Sequence, residues 1–383
     1  MISGAHRAAL WTLLALKVVG GWGLTWDIRW HMTVGRDSFW IAPHVMIYAS
    51  VALGVLVAFG VLARDTERVR RGLPAPPDAI RVVGLVGTRG FHVVAWGLAL
   101  VVIAAPIDDL WHRLFGVDVS LWSPPHLLGL FGSVVSTGGC LVTAVEVHRR
   151  EAARLAALLL AGALFYAGVR ITLDPAFLIG YSRGGVAFHL YAILGALVLP
   201  ATLLAAARLT DRRWAPPVAV GVAVVLGVVG MQVARAGFAV LQPVSYLAEE
   251  IAKDPTSPIA LANAIARTNR EAPDPWLLRL ALPLAAAAVF AGVDGRRRPV
   301  AAGVAYGVTL LGAYGWYLAS RPAFAPLTPT ALETGVALAL AALAGAAGGV
   351  LARALAGALE AGAPSARPGL RGHARRASAN IAR

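Results

Sequence analysis

The sequence predicts an all-α protein, a polytopic membrane helix bundle of about ten transmembrane helices, and three observations predict it. Of 383 residues, 58% are hydrophobic and 14% charged, at a mean hydropathy of +0.69; soluble domains carry about a quarter charged residues. The apolar residues fall in runs of the roughly 20 residues that a helix needs to cross hydrocarbon. Arginines gather in alternate short connections between those runs. The net charge of +14 therefore reports membrane topology, with the lipid bilayer as partner and no nucleic acid. Cys140 is the only cysteine and lies inside an apolar run, so one chain can build neither a disulfide nor a thiolate metal site.

Taken in order, the spans are expected at about 8–30, 43–63, 91–113, 125–147, 152–173, 185–207, 215–235, 277–293, 299–319 and 329–356. The first begins like a signal peptide, but its apolar run continues past Lys17 to Trp26 with no small-x-small cleavage site before it, and reads as an uncleaved span. The basic segments at 64–90, 148–154, 208–214, 294–298 and after 363 share one side if ten spans alternate. By the positive-inside rule that side is the cytoplasm, which places the chain in a bacterial-type inner (plasma) membrane with both termini inside. The chain then divides into duplicated hairpins (1–150), three further spans (151–235), an outer segment (236–276), three last spans (277–356) and a basic tail (357–383).

This topology sorts the nine histidines. His6, His92, His148 and His373 belong to the inner side, and His31, His44, His112, His126 and His189 to the outer. Four of the outer five belong to a repeat. "WDIRWHMTVGRDSFWIAPH" (26–44) and "DDLWHRLFGVDVSLWSPPH" (108–126) carry the same residue types in the same order. Asp27 and His31, like Asp108 and His112, are four apart and share a helix face. His44 and His126 follow 13 and 14 residues later, each after a proline that suits the first turn of the next helix. A helical hairpin returns them to the same depth. Gly35 with Gly116, Asp37 with Asp118 and Trp40 with Trp122 extend the likeness, and first pairs with third span, second with fourth, as a parallel internal repeat. The first and third spans are expected side by side.

Ionisable groups near hydrocarbon cost several kcal/mol unless they pair or bind a cation. Two neutral imidazoles and a carboxylate supply three metal donors and leave positions open, a set that suits copper, non-haem iron or zinc. The bland reading of one D-x3-H is a hydrogen bond that orients a loop; its duplication with a third ligand at matching distance favours a metal site. The pair D-x3-H-x12-H and D-x3-H-x13-H resembles the copper-binding C subunit of particulate methane and ammonia monooxygenases over about residues 10–147. The resemblance implies copper ligands at Asp27, His31 and His44 and at His112 and His126, with Asp108 where that family commonly has asparagine. It also implies an electron donor and further monooxygenase-type subunits, beside homo-oligomers. A membrane oxygenase acting on a small apolar substrate leads. A metal transporter or delivery protein, and a non-catalytic assembly or sensor subunit, are the rivals, and inner halves rich in Ala, Val and Leu argue against a path through the membrane.

The remaining features have plainer readings. His189 offers a further ligand or a carbonyl hydrogen bond. Asp174 and Arg183 read as a solvated loop pair, and Lys17 as a snorkelling side chain or the partner of a buried acid. Met32 and Met46 neighbour the ligands and pack or offer sulfur. Trp22, Trp26, Trp30, Trp111 and Trp122 read as an interfacial belt. "SYLAEEIAKD" and "SPIALANAIARTNRE" read as short amphipathic helices that cover the metal region or dock a protein.

Overall fold

The computed structural model of the chain describes residues 2–35, 38–115, 120–148, 150–270 and 276–361. The expected tail after 361, with His373, and the likenesses at Asp37, Gly116 and Asp118 lie outside the described residues. Helices α1 (Gly4–Thr33), α2 (Ala42–Arg70), α3 (Arg89–Phe115) and α4 (Pro124–Val147) form two consecutive hairpins. Then follow α5 (Glu151–Ile171), the short α6 (Pro175–Arg183), α7 (Leu190–Thr210) and α8 (Ala215–Leu241). The amphipathic α9 (Leu247–Lys253) and α10 (Pro258–Asn269) come next, before α11 (Trp276–Gly292), α12 (Pro299–Ala319) and α13 (Ala331–Ala361). One antiparallel hairpin, β1 (Ile80–Val82) with β2 (Leu85–Gly87), sets Arg81 opposite Val86.

Every expected span is a helix, but among the described residues eight, not ten, are long and apolar enough to cross a membrane. The two that fall short have clear reasons. Helix α11 has 17 described residues, Trp276–Gly292, and the residues just before it lie outside the described ones, while α12 carries Tyr306, Tyr314, Trp316 and Tyr317 within 21 residues. The expected loop at 64–90 is also shorter than its charge suggested. Thr66 donates to the Leu62 carbonyl at 2.6 Å and Arg71 pairs with Glu67 at 2.7 Å, so α2 runs on as a polar helix to Arg70. The Val86 N–H then bonds the Thr66 hydroxyl at 2.8 Å and pins the β-hairpin to α2.

The duplicated hairpins pack as a ring. Within hairpins α1 lies on α2 and α3 on α4; between them α2 lies on α3 and α1 on α4. The expectation that first and third spans stand side by side is thus corrected: they face each other across the ring. Exchanging the two hairpins still maps each contact onto another, as a parallel repeat requires. Apolar helices gain little from one another in a solvent as apolar as themselves, so close backbone approach has to hold them. Glycines seven apart on both helices provide it. A Cβ at Gly97 would stand 2.6 Å from the Ser136 nitrogen, and one at Gly139 2.6 Å from the Val94 nitrogen.

Tryptophans join this ring to α8. Trp22 donates to the Leu226 carbonyl at 3.0 Å, and Trp26 and Trp30 pack on Phe238. These three fill helix interfaces instead of forming only a belt, since Gly230 and Gly237 of α8 leave the notches for their rings. Lys17 neither snorkels nor meets an acid: its ammonium donates to the Ser136 hydroxyl at 2.5 Å and the Ser133 carbonyl at 3.4 Å. With Thr88 donating to Glu146 at 2.5 Å, the half of the ring away from the duplicated triads is more polar than its Ala/Val/Leu content implied. A second apolar cluster gathers α5, α6, α7, α11, α12 and α13 around Leu199, Leu203, Phe290 and Tyr306, and α5 and α7 contribute to both clusters.

Two outcomes follow. Gly139→Val forces α3 from α4 and lowers stability by about 1–3 kcal/mol or more, read as an earlier unfolding midpoint in detergent; an unchanged midpoint would show that the close approach holds nothing. Five spans separate residues 71–79 from 242–246, so reporters fused at the two places should report opposite sides, and one side for both would break the topology.

Candidate metal centre

The second copy of the repeat brings its three donors together. Asp108 and His112 lie one turn apart near the end of α3, and His126 follows Pro124 and Pro125 in the first turn of α4. The Asp108 Oδ1 is 3.3 Å from His126 Nε2 and 3.8 Å from His112 Nε2. One donor atom from each of the three lies within 4.8 Å of the other two. Bonds of about 2.0–2.2 Å to one ion call for donors roughly 3–4 Å apart, and these nearly meet that spacing.

The histidine tautomer says more than the distances do. The His126 Nδ1 lies 2.7 Å from the Ser120 carbonyl oxygen. A carbonyl can only accept, so Nδ1 carries a proton and Nε2 of the neutral ring offers a lone pair. That lone pair faces the Asp108 carboxylate. Two acceptors at this range repel unless a cation, proton or metal, stands between them. The Asp108 Oδ1 and His112 Nε2 are buried atoms without a hydrogen-bond partner, as expected of donors that await an ion.

The first copy repeats the device. The His44 Nδ1 lies 3.1 Å from the Ser38 carbonyl oxygen and its Nε2 3.1 Å from Asp27 Oδ1. The His31 Nδ1 lies 3.0 Å from the Asp27 carbonyl oxygen, one helical turn back, and 3.6 Å from the Asp27 carboxylate. Asp27 therefore stands between both histidines. Its three side chains are 14–15% exposed, against 21–27% for Asp108, His112 and His126, so the first copy is the drier one.

Ser38 and Ser120 are the residues that sequence reasoning missed. Each stands six positions before its histidine, in "SFWIAPH" and "SLWSPPH", and the signal was the serine shared beside the matching tryptophans. Their carbonyls fix the histidine rings, as partners behind metal-binding histidines commonly do.

The segment between α8 and α11 reaches both copies. The Tyr246 N–H bonds the Val34 carbonyl at 2.7 Å and the Ser245 hydroxyl bonds the Thr33 carbonyl at 2.6 Å, next to the end of α1. Gly35 there has φ +80°, and a Cβ on it would lie 2.7 Å from the Leu247 Cα, so glycine is required twice over. Beside the second copy a cavity of about 300 Å³ is lined by Ser120, Trp122, Leu178, Ile179, Pro258 and Leu261 among others. Trp122, in its wall, donates to the Thr172 carbonyl at 2.6 Å.

Two expectations are corrected. The structure does not bring His189 to either triad; it packs beside Phe188 and against Gly315 of α12, because the turn Gly185–His189 belongs to the second apolar cluster. Asp174 pairs with Arg170 at 3.6 Å, one helical turn away, and not with Arg183. Comparison with protein-family models, curated proteins and solved structures finds no match for this chain.

The tautomers are open to direct measurement. In metal-free protein, nitrogen-15 spectra should show His44 and His126 as Nδ1–H rings or as doubly protonated imidazolium, and Nε2–H rings at these positions would remove the geometric case for a cation.

Proposed function

We propose that the chain is an integral membrane copper protein, a monooxygenase-like subunit that activates dioxygen on a small apolar substrate. Asp27, His31 and His44 would hold one ion and Asp108, His112 and His126 another. The observation that carries this reading is the Asp108 carboxylate set against His126 Nε2 while Nδ1 is engaged by Ser120. One oxygen and two nitrogen donors leave positions open, and the same set would accept non-haem iron or zinc; copper is chosen on the resemblance of the two spacings. When bound, copper supplies one-electron reduction of dioxygen.

The chain's own residues have separable tasks in this reading. Asp27 and Asp108 offset the charge of the ions, the Ser38 and Ser120 carbonyls hold two rings in the binding tautomer, and the cavity at Trp122 admits an apolar molecule. Lys17 supports a one-sided centre over metal transport. It lies ten residues from Asp27, about 15 Å along α1, and there its amine donates to the Ser136 hydroxyl and the Ser133 carbonyl and offers an ion no anionic ligand. The reading also includes triads toward the outer face of a plasma membrane, both termini cytoplasmic, an electron donor, and further subunits or copies of the chain.

Metal analysis of the full chain purified in detergent tests it. About two copper ions per chain are expected, with Asp108→Asn weakening the second site by roughly 10–100-fold and leaving the first occupied. Identical metal content in wild type, Asp27→Ala, Asp108→Asn and His112→Ala would sink both sites.

A further inference from the structure

At the opposite end of α1 stands a cluster that the metal centres do not use. We propose that Ser3, His6 and Asp65 form an acyl-transfer site for a carboxylic ester that carries an anionic group. His6 lies in the first turn of α1 and Asp65 near the end of α2, and both are buried. The Ser3 Oγ is 2.8 Å from His6 Nδ1, and His6 Nε2 is 2.9 Å from Asp65 Oδ2.

The hydrogen bonds can run in only one direction. The Ser3 backbone N–H also meets His6 Nδ1, at 3.3 Å, and can only donate, so Nδ1 is the acceptor and Nε2 carries the proton given to Asp65. The Ser3 hydroxyl therefore donates to Nδ1. That is the relation of nucleophile, base and orienting carboxylate that activates a serine. Helix capping explains the pairing of Ser3 with His6, but a cap has no need of a carboxylate, 1% exposed, on the far nitrogen. Phe91 presses its edge to the His6 ring at 5.8 Å and keeps it in register.

Ser3 and His6 open on a cavity of about 250 Å³ whose other walls are Ile2, Arg64 and Arg68. The two arginines are one turn apart on α2, share a face and suit an anionic group on the substrate. The Ser3 oxygen would attack the ester carbonyl carbon as its proton passes to His6 Nδ1. Collapse of the adduct breaks the carbon–alkoxy bond, and the leaving alcohol takes that proton. Water, deprotonated by His6, then attacks acyl-Ser3 and releases the carboxylate and the free hydroxyl. The N–H groups of Gly4 and Ala5, in the same first turn of α1 and without a partner within the helix, would receive the oxyanion of the adduct. Asp65 is a positioning residue.

The full chain in detergent, with a metal chelator present, is treated with a fluorophosphonate and mapped by mass spectrometry. Modification at Ser3 is expected, absent in Ser3→Ala and slowed at least about 100-fold in Asp65→Asn, which keeps the shape of the pair if His6→Ala does not fold. Hydrolysis of a p-nitrophenyl ester of succinate should exceed that of butyrate, a preference lost in Arg64→Gln/Arg68→Gln. No modification of Ser3, or ester turnover equal in wild type and Ser3→Ala, overturns the site. Modification with equal turnover of the two esters overturns the assignment of the substrate.

Discussion

An ionised carboxylate where water is scarce costs several kcal/mol unless a hydrogen-bond donor or a cation faces it, and the first four helices set a histidine against such a carboxylate three times. Asp27 and Asp108 meet His44 and His126 at one end of the ring, and Asp65 meets His6 at the other. The second ring nitrogen decides what each pair can do. At Asp65 it accepts from Ser3, so Nε2–H satisfies the carboxylate and the pair is complete without an ion. At the other two, a backbone carbonyl takes the Nδ1 proton and leaves lone pair against carboxylate. The same two residue types thus give a finished hydrogen bond at one end and a demand for a cation at the other.

Helix packing serves these placements. Opposed carboxylate and imidazole at 3 to 4 Å need helices that do not slide, and apolar contact alone fixes axial register poorly in lipid. Gly97 against Ser136 and Gly139 against Val94 bring α3 and α4 close enough for backbone atoms to interlock, which sets Asp108 and His126 at one height. In the first hairpin Gly23 does similar service: a Cβ there would lie 2.9 Å from the Ile47 side chain and 3.3 Å from the Pro43 carbonyl. The notch therefore sits one residue before His44, four residues along α1 from Asp27.

Much of this was legible from the sequence because it was written in spacings. Apolar runs located all ten helices, four-residue steps put Asp27 with His31 and Asp108 with His112 on common faces, and prolines marked the starts of α2 and α4. What stayed hidden depends on the partner across a helix interface. Hydropathy treats Trp22 as an interfacial residue and cannot see the notch in α8 that seats its ring. It treats Lys17 as a liability and cannot see Ser136 opposite. Neighbour relations in the ring were misjudged for the same reason, since a repeat fixes which helices are equivalent without saying which of them touch. The serine carbonyls were invisible because backbone acceptors leave no mark on residue chemistry.

Duplication also does not make the two triads equal. The first is about half as exposed as the second, and residues 245–247 lie over the end of its helix, while the second opens beside a cavity walled by Trp122, α6 and α10. A drier pair of opposed acceptors repels more strongly for the same geometry, because less solvent screens it. The demand for a cation is therefore greater at Asp27, and access to a third participant is greater at Asp108. In the proposed function this divides the labour: the first triad is the firmer holder of an ion, and the second, where Ser120 belongs both to the cavity wall and to the bond that sets His126, is where an apolar molecule can come closest to the reacting ion.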